Sequence, residues 1–265
     1  MTNRIDIDKV HKYLTRMLSD FDDFMRSNDI EYSLAYGTLL GAVRHQGFIP
    51  WDDDLDIFIT KKNYEKFLSL ENKWPSYFYL QRPGSDPFYK YPFSKLRDNR
   101  LFIKEGNNND LGISNGAFID IFIIDGFDSK TLPITQKIRK LKTFIDKRNK
   151  LRKNNKFIYY TLSIPKKICK LLINKYLEQI KTKHHIDNID SSYYTAYYYD
   201  LENNDNSIWK TEDFFPIERK YKFEGLTLPG PKNYDSILMY YGDYMKIPSL
   251  KQRHTHLVEF NVLIP

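Results

Sequence analysis

The run YGTLLGAVRHQGFIPWDDDLDIFI, residues 36–59, constrains the fold of this chain more than any other stretch. It joins a Gly-Thr turn, a short apolar helix with a basic end, and four aspartates (Asp52, Asp53, Asp54, Asp56) that lead into an apolar strand. Successive side chains of a strand point to opposite faces. Asp54 and Asp56 therefore share a face, while Leu55 and Ile57 point into the core. Two carboxylates a few Å apart repel unless a divalent cation sits between them.

Mg²⁺ or Mn²⁺ held in this way is a common means of handling phosphates. The residues point first to a metal-dependent enzyme acting on a phosphate or nucleotide. Asp52 and Asp53 are read as loop residues that support the ligands.

The flanking sequence supplies a framework. Val10, Leu14, Met17, Leu18, Phe21, Phe24 and Met25 recur at helical spacing, predicting a helix over 7–28. Residues 31–36 alternate as a strand, Gly37-Thr38 turns the chain, and a helix runs over 39–45. After a loop broken by Gly47 and Pro50, a strand follows over 54–59, and Thr60 caps a helix. Further strands are expected over 77–81, 93–97, 101–104 and 117–124. The last is very apolar yet carries Asp120, an acid that needs a partner or a function. Residues 220–228 alternate as a strand, and 233–245 hold a short helix ending at Gly242. The expected class is α+β, a mixed sheet flanked by helices. Residues 1–265 read as one catalytic domain with a helical insertion at about 131–190.

That insertion is basic. Residues 137–156 hold ten Lys or Arg against one acid, Asp146. The whole chain has a net charge of +7, a pI near 9.1 and 16% aromatic residues. Nucleic acid, an anionic membrane surface and a polyanionic substrate all suit such a chain. Nucleic acid is disfavoured, because the basic run lies far from the aspartates and no RNA-binding signature is present. No apolar run approaches the roughly 18 residues needed to span a bilayer. The polar, acid-bearing N-terminus and the single cysteine, Cys169, lead us to expect a cytoplasmic protein.

A Gly-Thr turn opening a helix, Asp-x-Asp on a neighbouring strand and a third acid on a later strand form a nucleotidyltransferase-like constellation. Here these are Gly37-Thr38, Asp54-Leu55-Asp56 and Asp120. Glycine lets backbone approach phosphate, and a helix N-terminus offers it free N–H donors.

The segment YGTLLGAVRHQGFIPWDDDLDI resembles the signature of the LicD phosphotransferases. The likeness continues in FSKLRD (93–98), GAFIDIFIIDGF (116–127) and FEGLTLPGPKNYDSILMYYGDYMKIP (223–248), and is poor over 130–210. The resemblance implies transfer of phosphocholine from CDP-choline to a sugar hydroxyl of a bacterial surface glycan such as a lipooligosaccharide, with release of CMP. Relatives that move ribitol or glycerol phosphate keep another CDP-alcohol open as donor. It further implies that Asp54, Asp56 and Asp120 bind Mg²⁺ or Mn²⁺, Asp120 as ligand or as base toward the acceptor hydroxyl. Gly37 and Thr38 would lie against the donor phosphates, with Arg44, His45, Lys95 and Arg97 as clamps for phosphate or transition state. Two structural alternatives stand beside these roles: Asp120 paired with Lys95 or Arg97, and His45 capping a helix. A lipid-linked acceptor would place the enzyme at the inner face of the cytoplasmic membrane. The basic section would then dock peripherally, or else be a merely solvated face. A glycan-assembly partner without catalysis remains the non-enzyme alternative.

Overall fold

In the computed structural model the described residues are 6–82, 93–105, 116–127, 208–253 and 257–262, together with 85, 89, 91, 137, 140–141, 168–169, 171–172, 175 and 193–195. The chain divides into two compact units, Met1–Ile124 with Glu212–Pro265, and Asp125–Thr211.

The first unit opens with α1 (Ile7–Ser27), capped by the Asp6 side chain, which accepts from the Lys9 amide at 3.2 Å. Val10, Leu14, Met17, Leu18, Phe21 and Met25 form one apolar face and are fully buried. Asp22 interrupts that face and is matched there. The Tyr32 hydroxyl donates to it at 2.7 Å and Arg26 Nε at 2.6 Å. Arg26 also donates to the Thr227 carbonyl, tying the end of α1 to a distant hairpin.

Then come β1 (Ser33–Leu34), α2 (Tyr36–His45), β2 (Asp56–Thr60), α3 (Lys61–Ser69), β3 (Phe78–Gln81), β4 (Ser94–Glu105) and β5 (Gly116–Phe127). Strand β10 (Leu257–Val262) completes a sheet of order β1-β2-β5-β4-β10, and β3 also pairs with β4. Strands β2 and β5 run parallel, and the other pairs are antiparallel. A mixed sheet with helices on it is the α+β architecture expected from the pattern. Leu55, Ile57, Phe58, Leu96, Ile119 and Ile121 form its buried centre.

Three expectations need correction. Helix α2 begins at Tyr36, so Gly37 and Thr38 lie in its first turn and do not precede it. The strands expected over 93–97 and 101–104 are one strand, β4, whose pairing with β5 shifts between Asp98 and Phe102. Arg100 pairs there with Asp98 and Asp20, a polar cluster that breaks the apolar alternation without ending the strand. Residues 220–228 are not one strand but a hairpin, β8 (Arg219–Phe223) and β9 (Leu226–Gly230). Its two turn residues, Glu224 and Gly225, have φ of 49° and 81°. A two-residue hairpin turn with both residues left-handed fits the strand twist, but Glu-Gly lacks the usual Asn or Asp signal.

The hairpin turn grips the loop that leads to the aspartates. Glu224 N–H donates to the Gln46 carbonyl at 2.9 Å, and a Glu224 carboxylate oxygen accepts from Phe48 N–H at 3.0 Å. A single helical turn at Thr211–Phe214 precedes the hairpin, and α4 (Tyr234–Leu238) and a 3₁₀ turn, Met239–Tyr241, ended by Gly242 at φ 68°, follow it.

Within the second unit, residues 125–127 of β5 pair with β6 (Tyr193–Thr195), and β6 pairs with β7 (Ile208–Lys210). Lys137, Lys140, Leu141, Ile168, Cys169, Leu171, Leu172 and Lys175 are helical. The rest of the basic section expected at 131–190 lies outside the described residues. Among the described residues, no helix is long and apolar enough to cross a membrane.

Gly41, inside α2, sets how closely the acid-bearing loop packs. A Cβ there would lie 2.4 Å from the Gly47 carbonyl oxygen and 3.2 Å from the Ile49 nitrogen. Alanine gains up to about 1 kcal/mol in helix propensity over glycine. Both obstacles are backbone, however, and overpacking of this kind costs about 1–3 kcal/mol. The clash wins, so Gly41→Ala lowers the urea midpoint at unchanged m-value, by a net ~1–2 kcal/mol.

Candidate functional site

The parallel pairing of β2 and β5 creates the site. Asp56 and Asp120 are register partners, so both side chains leave the same face of adjacent strands. On the other side of β5, Asp120 is opposite Lys95 of β4, and Lys95 is opposite Gln81 of β3. A row of acid, acid, base and amide thus crosses four strands. Asp54, two residues before Asp56, joins the row at its open end. Oxygens of Asp54, Asp56 and Asp120 all lie within 4.8 Å of one another, and so do oxygens of Asp52, Asp53 and Asp54.

The surroundings hold this negative charge in place. Gly37 N–H, in the first turn of α2, donates to Asp56 Oδ2 at 3.1 Å. The Thr38 hydroxyl accepts from Asp56 N–H at 2.7 Å. The first turn of α2 is therefore fastened to the acid strand by both motif residues. A Cβ on Gly37 would stand 2.8 Å from Asp52 Oδ2 and 3.3 Å from Asp56 Oδ2, so only glycine lets the carboxylates come this near the helix. Tyr36, just before it, has φ of 33°, a strained value for a tyrosine, and its ring is packed between Phe58 and Phe122.

Lys95 is buried and brings its ammonium to 2.8 Å from Asp120 Oδ1 and 3.2 Å from Oδ2. The Phe118 ring centroid lies 3.4 Å from Nζ, with Tyr91 and Phe93 at 4.9 and 5.6 Å. Ring faces stabilise a cation that has lost its water. Of the alternatives for Asp120, then, the ion pair with Lys95 is present, and the carboxylate also belongs to the acidic cluster. Arg97 is directed elsewhere. Its Nε donates to Gln81 Oε1 at 2.5 Å and Nη1 to the Gly116 carbonyl at 2.7 Å, deep in the sheet.

Arg44 and His45 close the other end of α2. Arg44 donates through Nη1 to the Tyr244 carbonyl at 2.6 Å and through Nε to His45 Nε2 at 2.9 Å. Burial, and then the Arg44 charge, lower the His45 pKa below the ordinary imidazole range, so His45 is a neutral acceptor. Burial also lowers the pKa of Arg44, while the charge of Asp52 works against that.

Two supporting residues are not singled out by a reading of the sequence, although Glu224 lies in the stretch 223–248 that carries part of the family likeness. His11 of α1 donates from Nε2 to the Asp52 carbonyl at 2.7 Å, its ring stacked on Phe48 at 4.1 Å. Glu224 holds the loop at Phe48, as described above. Only the amphipathic pattern around His11 and the hairpin alternation around Glu224 mark them, and neither pattern points to the acids.

Three hard oxygen donors in one cluster suit Mg²⁺ or Mn²⁺. Burial, followed by the charges of Asp54, Asp120 and Asp52, raises the pKa of Asp56 well above the usual carboxylate range; the Gly37 N–H only partly offsets this. Lys95 offsets one of these three carboxylates, and a divalent cation would offset the others.

Residues 29–131 match the sequence model of the family described as LicD/FKTN/FKRP, nucleotidyltransferase domain. Over 243 residues the chain is 29% identical to the lipopolysaccharide cholinephosphotransferase LicD of Haemophilus influenzae, covering 87% of this chain and 88% of that protein. Shorter likenesses, 54% identical, join 57 residues to an uncharacterized protein of Rickettsia typhi and 50 residues to one of Rickettsia prowazekii. They cover 22% and 19% of this chain, and 18% and 19% of those proteins.

The raised pKa of Asp56 has a definite sign in stability. The folded chain holds this proton at a pH where the unfolded chain has lost it. Stability therefore falls as pH rises from the ordinary aspartate value, about 4, through the raised folded value, above which the penalty is complete. Asp56→Asn removes that penalty and keeps an acceptor for Gly37 N–H. In urea unfolding with chelator, from about pH 4.5 to about pH 8, the variant's advantage over wild type widens with pH. Mg²⁺ then narrows the gap by stabilising the wild type.

Proposed function

We propose, from the premise that this chain carries a LicD-family nucleotidyltransferase domain over residues 29–131, that it transfers phosphocholine from CDP-choline to a sugar hydroxyl of a lipopolysaccharide-type glycan. The observation that carries the reading is the convergence of Asp54, Asp56 and Asp120 within 4.8 Å. The name of the Haemophilus influenzae relative supports phosphocholine as the group moved and lipopolysaccharide as the acceptor.

In this reading Asp54, Asp56 and Asp120 hold Mg²⁺ or Mn²⁺. When bound, the ion neutralises charge on the transferring phosphoryl group. The acceptor oxygen attacks the distal phosphorus of CDP-choline, the bond to CMP breaks, and CMP leaves. The acceptor hydroxyl loses its proton to a carboxylate of the cluster, with Asp120 as the base or a further ligand. Gly37 keeps the first turn of α2 open to the donor phosphates, and Thr38 fixes that turn to β2. Arg44 and His45 sit at the far end of α2 as clamps for donor or acceptor. Lys95 acts through Asp120, neutralising one carboxylate of the row so that the donor's phosphates approach a less negative face. Arg97 supports that face through Gln81 and the Gly116 carbonyl. In this reading the enzyme works in the cytoplasm and reaches a lipid-borne acceptor at the inner face of the membrane.

Purified protein with a glycan acceptor is expected to release CMP from CDP-choline only when Mg²⁺ or Mn²⁺ is present. Asp54→Asn, Asp56→Asn and Asp120→Asn each lower kcat roughly 10³-fold or more, several kcal/mol of barrier, while remaining folded. CMP release that survives chelation, or a folded variant with near-wild-type turnover, contradicts the assignment. Faster turnover of CDP-ribitol or CDP-glycerol keeps the reaction and changes the donor.

A further inference from the structure

A concentration of exposed apolar side chains lies between α4 and β10. Met239, Tyr241, Met245, Ile247 and Leu250 are 41–78% exposed. Among the other described residues of the same unit, the one further exposed large apolar side chain is Tyr79, at 39%. Apolar surface gathered in this way is unfavourable in water and marks an interaction site.

The segment is held in shape and does not hang loose. Tyr244 N–H donates to the Gly242 carbonyl, Lys246 N–H to that of Asp243, and Gln252 N–H to that of Ser249. Ser249 and Gln252 form a capping box. The segment is pinned to the rest of the unit at two points. Arg44 takes the Tyr244 carbonyl at 2.6 Å, and Arg253 takes the Pro248 carbonyl at 3.2 Å while lying 4.2 Å over the Trp51 ring. These pins leave Met245, Ile247 and Leu250 turned outward.

Charge identifies the occupant. Lys246 is exposed among these apolar residues, Lys251 is exposed directly after Leu250, Arg253 follows, and Asp243 is the one acid of residues 239–253. Flexible Met and aliphatic side chains interleaved with lysines suit an anionic lipid surface, where apolar groups enter the headgroup boundary and lysines meet the charge. A tight protein interface centres on aromatic and arginine anchors, whereas the outward side chains Met245, Ile247 and Leu250 are aliphatic and Arg253 is taken up by the Pro248 carbonyl and the Trp51 ring. We infer that the segment Met239–Leu250 docks this protein on an anionic membrane surface. Both pins lead back to the acids: Trp51 precedes Asp52 in sequence, and Arg44 lies in the last turn of the helix whose first turn holds Gly37. Docking here would hold the cluster near a lipid-borne acceptor. The inference shares with the proposed reaction only that acceptor, and it rests on residues other than those of the basic section 131–190. Vesicle binding is measured without donor or turnover, so one proposal can fail without the other.

The test is co-sedimentation of the full chain with neutral phosphatidylcholine vesicles and with vesicles containing phosphatidylglycerol, at low and high salt. Wild type is expected to bind the anionic vesicles, more weakly as salt rises. The variant Met245→Ser, Ile247→Ser, Leu250→Ser is expected to lose roughly tenfold or more in affinity. The pair Lys246→Gln, Lys251→Gln is expected to lose roughly fivefold or more per charge. Both variants should keep the wild-type melting temperature, because the side chains are exposed. In Leu250→Trp, brominated lipid should quench the added fluorescence. Absence of vesicle binding, binding undiminished in the triple variant, or an unquenched tryptophan at position 250 overturns the inference. A wild-type dimer that the triple variant converts to a monomer overturns it also, and assigns the patch to a second copy of the chain.

Discussion

Everything at the centre of this protein follows from two aspartates placed in register on parallel strands. Because β2 and β5 run the same way, Asp56 and Asp120 leave one face side by side, with Asp54 close behind. Like charges at this spacing oppose the compact state unless the surroundings offset them. Much of the neighbouring architecture does so. The first turn of α2 gives Asp56 an N–H donor, Lys95 brings a buried cation to Asp120, and Arg44 lies within electrostatic reach of Asp52.

That compensation is partial, and the remainder is informative. The Lys95–Asp120 pair is surrounded by Phe118, Phe93 and Tyr91, so the ammonium keeps its position without water. Asp56 has no such cation, and its carboxyl is driven toward the protonated form. A fold selected for stability alone would place an apolar residue there, since replacing buried charge with well-packed apolar groups is often neutral or stabilising. The proposed metal-binding role would account for acids kept at this cost beside a tyrosine at positive φ.

The loop carrying Asp52, Asp53 and Asp54 is not rigid by its own sequence. Three distant elements hold it: α1 through His11, the β8–β9 hairpin through Glu224, and the segment before β10 through Arg253 on Trp51. Each is a hydrogen bond or ring contact made by a residue that local pattern leaves anonymous. His11, Glu224 and Arg253 all lie outside residues 29–131, the part that the family model covers.

The sequence by itself determined the α+β class, the amphipathic α1, the capped α3 and the grouping of Gly37, Thr38, Asp54, Asp56 and Asp120 in one constellation. The class and the helices rest on short-range periodicity and residue chemistry, which a linear pattern records, and the constellation rests on its likeness to a nucleotidyltransferase arrangement. Only the tertiary structure decided the partners. It put Lys95 on Asp120, sent Arg97 to Gln81 and the Gly116 carbonyl, and split residues 220–228 into a hairpin whose turn grips the acid loop. It also began α2 at Tyr36, because Asp56 takes the Gly37 amide that a free helix end would leave open. Cross-strand register and contacts between residues far apart in the chain depend on how strands pair. Pairing is a property of the whole sheet, which local sequence does not encode.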